Sequence, residues 1–422
     1  YRSRIQLQVS RFRNPRTGAV EQDFLGTWPE TAELLLDHND FGDDLGKDRD
    51  LRRQVEAITK GLLTDAAKIE AIYDFVRTAM TWDGTNGWLL TQDLDDALAA
   101  KRGSSADINL LLVSMLRHAD IEAHPVLTST RSHGRLIPLY PILEQFNYVL
   151  AGAPSASGES IRLFDATDPF VRSPLLPKRA LNRQAWVVSA DNPRWIEVPP
   201  AARQDRSVLA TLTLSADGSV NGSVAVTDDG YAAANSRRTL AAETGDEAFA
   251  RKTLLKGLTE VSLSSVEIEN REDLDAPMTT TMNLSIPAYA QAAGDMMYVN
   301  PTLLHHFSEN PFKQPRRTFP VDFAYPSRTT YTVSMAIPEG YEVQDLPQPQ
   351  RLALPQKAGS YVQMAQVMGR RLTMRSVLSI DAPVLSPELY PALRDLVDRV
   401  VAAQSEVVVL KRTATSVATD GG

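Results

Sequence analysis

The apolar positions of residues 48–80 recur near the helical period. Ala67, Ile69, Ile72, Tyr73, Phe75 and Val76 form one stripe, and Thr64-Asp65 offers it an N-cap. Residues 93–100 predict another short helix. Ser104 or Ser105 then caps a helix whose core side would carry Ile108, Leu111, Leu112, Met115 and Leu116. From residue 121 the period changes to two. Strands are predicted over 123–130, 145–151 and 161–165, with an Ala-, Ser- and Gly-rich link at 152–158 and a longer loop at 131–141. The proline-rich stretch 193–200 reads as a linker. Ahead of the helices, Ile5, Leu7 and Val9 alternate with polar residues, and Asn14-Pro15-Arg16-Thr17-Gly18 supplies a turn. A lone hairpin is marginal in water, so 1–25 is expected to be the remnant or edge of a larger N-terminal β-domain.

The second half alternates more strictly. Residues 208–214 and 220–226 flank Asp217-Gly218, a strong hairpin signal. Residues 231–258 predict a helix broken near Thr244-Gly245-Asp246. Strands follow at 261–269, 278–286, 329–337, 361–367 and 371–380, then a closing helix at 387–403 and a strand at 406–410. Met296-Met297-Tyr298 fits a core better than a cofactor box. Adjacent His305 and His306 would point to opposite faces of a strand, which argues against a shared metal. No repeat of 20–50 residues and no catalytic motif stands out in this half. The chain is therefore expected to be α+β, with an N-terminal β remnant over 1–47, a first α+β domain over 48–200, a C-terminal β-rich domain over 205–411 and a disordered tail over 412–422.

Composition narrows the function classes. A net charge of −8 over 422 residues, with scattered Arg and Lys, argues against a general nucleic-acid binder. There is no cysteine, which removes disulfides, thiolate metal sites and cysteine nucleophiles. The longest apolar run, 110–116, is too short to span a bilayer. Tyr1 is not an initiator methionine, so a processed or cropped product, from which any signal peptide has been lost, is expected. No cofactor and no metal site is expected.

One set of residues carries candidate chemistry. Gly103-Ser104-Ser105-Ala106-Asp107 opens the apolar helix, Phe146-Asn147-Tyr148-Val149 lies in a strand, and Leu163-Phe164-Asp165-Ala166-Thr167-Asp168-Pro169 closes the next one. A cysteine at 105 would be activated by the helix N-terminus, a histidine at 148 would take its proton, and Asp165 would orient that histidine. Serine stands at 105 and tyrosine at 148. A serine hydroxyl needs a general base, and a phenol with a reference pKa of about 10 is only about 0.1% ionised at pH 7. Loss of linked triad members costs roughly 10⁶-fold in rate in other hydrolases, so the residues argue for a non-catalytic site.

These segments resemble the transglutaminase-like superfamily, which shares the papain-type (cysteine-protease-type) core. Residues 101–107 are similar to the family's nucleophile helix. Leu116-Arg117-His118-Ala119-Asp120-Ile121-Glu122-Ala123 is similar to its "LLRxxGIxA" stretch, Phe146-Asn147-Tyr148-Val149 to its "NHV" strand and Leu163-Phe164-Asp165-Ala166-Thr167 to "LDxT". By that resemblance Ser105, Tyr148 and Asp165 occupy the triad positions. The wider chain resembles large bacterial exported proteins in which such a domain lies between β-rich domains of unknown function. That implies a periplasmic or envelope-associated protein.

The expected function is a non-catalytic binding or structural module with a groove for a peptide or protein, in which Asp107, Asn147, His133 and Arg131 would contribute. The alternative is a hydrolase or acyltransferase using Ser105, with His124 or His133 as an unusual base and Asp165 in support.

Overall fold

The structure is a computed structural model. It describes residues 11–413 apart from 14, 19, 24–25, 44, 156–157, 159, 259 and 305. The strand expected around Ile5–Val9, His305 and the tail over 414–422 lie outside the described residues. The chain divides into two compact units between Ala201 and Ala202.

In the first unit the helix Ser105–His118 is the axis of the core. Every residue from Ser105 to Leu116 is buried, polar ones included. A helix covered all round needs packing on several sides. Helices Arg49–Thr59 and Asp65–Ala79 and the sheet strand Tyr148–Pro154 supply it. The sheet is antiparallel, in the order Ile161–Phe164, Tyr148–Pro154, His124–Thr128, Arg183–Val187, Arg194–Val198. The expected helices and the first three strands are present, with ends that shift by a few residues.

Two segments differ from the sequence reading. Residues 194–198 form an edge strand, not a linker: Arg194–Val198 pairs with Arg183–Val187 and sets Trp195 opposite Trp186. Pro193, Pro199 and Pro200 flank this strand without interrupting its ladder, a placement that proline tolerates. The second segment follows the short hairpin of Arg11–Arg13 and Val20–Asp23. Helix Trp28–Leu36 starts there with a Thr27–Glu30 capping box. Its Ala32 and Leu35, with Phe41 and Leu45 beyond, join the same core as Ile72 and Leu111. Trp28 anchors this segment by packing on Trp186 at 4.6 Å and Trp195 at 5.1 Å between ring centres.

The second unit is built on an eight-stranded sheet. Its order is Ser262–Glu269, Met278–Ile286, Val220–Gly230, Gln204–Leu214, Ser327–Ala336, Arg371–Ile380, Gly359–Met368, Gln350–Ala353. All pairs are antiparallel except Gln204–Leu214 with Ser327–Ala336. The alternation read in the sequence is the core pattern: Val208, Ala210, Leu212 and Leu214 point inward. The Asp217-Gly218 turn holds Gly218 at φ +83°, and a Cβ there would lie 2.5 Å from the Ala290 carbonyl oxygen, so glycine is required on both counts. Helix Tyr390–Gln404 buries Leu393, Leu396, Val397 and Val400 against Tyr361, Leu378 and Ile380. Met297 is fully buried in the strand Met296–Val299, as a core residue would be. That strand pairs with Val408–Arg412, so residue 412 ends a strand. The fold is α+β, with a β-rich C-terminal region.

Candidate functional site

Ser104, not Ser105, is the N-cap of the buried helix. Its hydroxyl accepts from the Asp107 N–H at 3.2 Å, and the Asp107 carboxylate accepts from the Ser104 N–H at 2.8 Å. Ser105 is therefore the first helical residue. Its hydroxyl donates to the Gly87 carbonyl at 2.9 Å and accepts from the Gly87 N–H at 2.8 Å. Its backbone N–H is taken by the Thr85 carbonyl at 3.0 Å. The side chain is wholly buried. Both the donor and an acceptor site of this hydroxyl serve to tie down the loop at Gly87.

Tyr148 and Asp165 meet directly. The phenol donates to Asp165 Oδ2 at 2.8 Å. Asp165 Oδ1 accepts from the Thr167 hydroxyl at 2.5 Å, the Thr167 N–H at 3.0 Å and Asn109 Nδ2 at 3.3 Å. Asn109 also bonds the Val149 carbonyl and the Ala166 N–H, which locks the helix to both strands. Arg179 completes the cluster. Its Nε donates to the Tyr148 oxygen at 3.0 Å, its terminal nitrogen reaches the Thr167 hydroxyl, and its guanidinium lies 4.0 Å from the centre of the Trp82 ring. The sequence reading missed Arg179 and Gly87, and it reached Thr167 only as part of the strand-end motif.

The electrostatics keep the Tyr148 phenol protonated and Arg179 charged. Burial, reinforced by the Asp165 carboxylate, pushes the Tyr148 phenol well above its ordinary range. Burial opposes the charge on Arg179, but Tyr148 and Asp165 outweigh it and raise the guanidinium further. A phenol held in this way donates a hydrogen bond and does not accept a proton from a nucleophile.

Of the remaining sequence candidates, Arg131 meets the cluster through its backbone, and the side chains of Asn147, His133 and His124 bond elsewhere. Asn147 spans two strands, accepting from the Thr130 N–H at 2.7 Å and donating to the Thr130 hydroxyl at 2.9 Å. His133 Nδ1 lies 3.1 Å from the Ser129 hydroxyl, and the Arg131 N–H bonds the Arg179 carbonyl. His124 Nε2 lies 3.1 Å from Glu122 Oε1, and burial draws its pKa down despite that carboxylate. Asp93, Asp95 and Asp96 bring three carboxylates within 4.8 Å of one another, all exposed, as a solvated surface cluster would be.

Asp107 has a structural task. Burial alone would raise its carboxyl pKa, but bonds from the Thr91 N–H, the Thr91 hydroxyl and Ser104 outweigh burial and lower it. A lowered folded-state pKa contributes stability above the unfolded value of about 3.9, and that contribution is lost as pH falls through the folded value. Asp107→Asn is expected to cost about 1–3 kcal/mol at pH 7 and progressively less below about pH 4. Urea unfolding across that range checks it; an equal cost at pH 7 and pH 2.5 would contradict the assignment.

An α+β core with a buried helix start, facing strands and a strand-end aspartate defines a papain-type architecture. Residues 52–200 match the transglutaminase-like superfamily, so the chain carries a transglutaminase-like domain. Residues 295–410 match a domain of unknown function known from solved structures, DUF3858. The crystal structure of a candidate protease from Parabacteroides distasonis is similar over 91% of this chain, with a TM-score of 0.52 and 13% identity, and the chain spans 58% of that protein. At that identity the likeness concerns the fold. No curated protein matches the chain.

Proposed function

We propose that the transglutaminase-like domain is non-catalytic and serves as a peptide- or protein-binding or structural module of a bacterial envelope protein. The observation that carries the non-catalytic reading is the occupied triad position. The Tyr148 phenol, raised in pKa, sits between Asp165 at 2.8 Å and Arg179 at 3.0 Å, where a base would need to be free to move a proton. The Ser105 hydroxyl supports the same reading, because it is buried and bonded to Gly87 in both directions. His124 and His133 bond Glu122 and Ser129, so neither is placed as a substitute base by its contacts. Binding and an envelope location rest on the family resemblance. Among the described residues no helix is long and apolar enough to cross a membrane.

A fluorophosphonate probe and a dansylated amine with a glutamine peptide test the catalytic half of this reading. The expected result is no labelling and no amine incorporation above the level of Ser105→Ala. Labelling or turnover that disappears in Ser105→Ala would overturn it.

A further inference from the structure

The second unit contains a cavity of about 800 Å³, within the size range of about 300–1,000 Å³ typical of small-molecule sites. Its floor crosses three adjacent strands in register. Val226, Val208 and Tyr331 form one row, and Arg206 and Thr329 belong to the next, whose third member, Asp228, lies behind the lining. Leu254, Leu303, Phe307 and Val401 add further apolar lining, and Thr253, Asn300, His306, Ser308 and Ser405 add polar groups.

The polar groups are unevenly distributed. Arg206 holds Asp228 through two bonds of 2.6 and 2.8 Å, which neutralises that row. The Tyr331 hydroxyl donates to the Pro301 carbonyl and accepts from the Leu303 N–H, so the first row presents no unpaired donor. Lys256 is exposed at the lining and has no ion-pair partner among the described residues. No aspartate or glutamate is among the described lining residues.

We infer that this cavity binds a small amphipathic carboxylate, a straight acyl chain of medium length whose tail lies along the Val226–Val208 row and whose carboxylate meets Lys256. Apolar walls supply non-directional affinity, and the single uncompensated cation selects an anionic head over a neutral or cationic one. The inference stands on the second unit alone and is independent of the reading of the Ser105 site.

Calorimetric titration of the full chain with dodecanoate, below its micellar range, tests it. The expected result is saturable uptake at one site. Dodecyltrimethylammonium should bind at least tenfold more weakly, and Lys256→Glu should weaken dodecanoate by roughly tenfold. Leu304→Trp, which fills the cavity from its wall, should abolish uptake while near-ultraviolet circular dichroism stays native. Lys256 is exposed, so its variant remains decisive if Leu304→Trp does not fold. Absence of saturable uptake, equal binding of the cationic surfactant, or unchanged affinity in Lys256→Glu would each overturn the inference.

Discussion

Asp165→Ala is expected to lower the stability of the first unit by about 3–5 kcal/mol, the range for removing one partner of a buried ionic cluster. The change takes a fully buried acceptor from Tyr148, Thr167 and Asn109 at once. It also leaves Arg179 with only Asp168 of the two nearby carboxylates, beside a phenol that burial keeps neutral. Set against a domain stability of about 5–15 kcal/mol, such a loss should bring the unit near unfolding at physiological temperature. Asp165→Asn keeps an acceptor in place and should cost less. All five tryptophans, Trp28, Trp82, Trp88, Trp186 and Trp195, lie in the first unit, so tryptophan fluorescence in urea reports that unit selectively. A loss below about 1 kcal/mol would mean that the cluster is not the structural pin described above.

Restoring the family's residues is expected not to restore a reactive nucleophile. In Ser105→Cys combined with Tyr148→His, the new imidazole would face the Arg179 guanidinium that now bonds the phenol at 3.0 Å. A neighbouring fixed cation disfavours the imidazolium, and therefore the thiolate–imidazolium pair on which such enzymes depend. With no imidazolium beside it, the thiol gains only the pull of the helix N-terminus and should stay largely protonated at pH 7. Adding Arg179→Ala frees Asp165 to stabilise the imidazolium and should speed alkylation by iodoacetamide by about tenfold or more. The natural chain contains no cysteine, so the introduced thiol is the only reporter and no background correction is needed. Rapid alkylation of the double variant at pH 7, equal to that of the triple one, would refute the blocking role of Arg179.

The parts of the site that sequence reading reached are those with local grammar. The cap at Ser104, the apolar helix behind it and the strand-end position of Asp165 each leave a signature within a few residues. Arg179 leaves none. It comes from the short 3₁₀ turn Lys178–Ala180, in an aperiodic stretch, and it meets Tyr148 only through tertiary folding. Gly87 contributes backbone atoms alone, which no residue pattern encodes. Asn147 is the converse case: it lies beside Tyr148 in the sequence, yet its side chain is spent on Thr130. The strand Arg194–Val198 was hidden because prolines at both ends resemble linker composition, whereas its pairing depends on Trp186 and Trp195 lying opposite each other. In the second unit the long alternating strands were legible from their own period, but their order was not.

That order has a kinetic side. The strand Gln204–Leu214 can pair at once with Val220–Gly230, but its other neighbour, Ser327–Ala336, emerges more than a hundred residues later, and Met296–Val299 waits for Val408–Arg412 near the end. During synthesis the first unit can close once residue 201 has left the ribosome. The hairpin of the second unit meanwhile carries an open edge through much of the remaining translation, at about 5–20 residues per second. The middle of the finished sheet is thus its most exposed seam at birth, where a chaperone or a second nascent chain would find backbone to pair with.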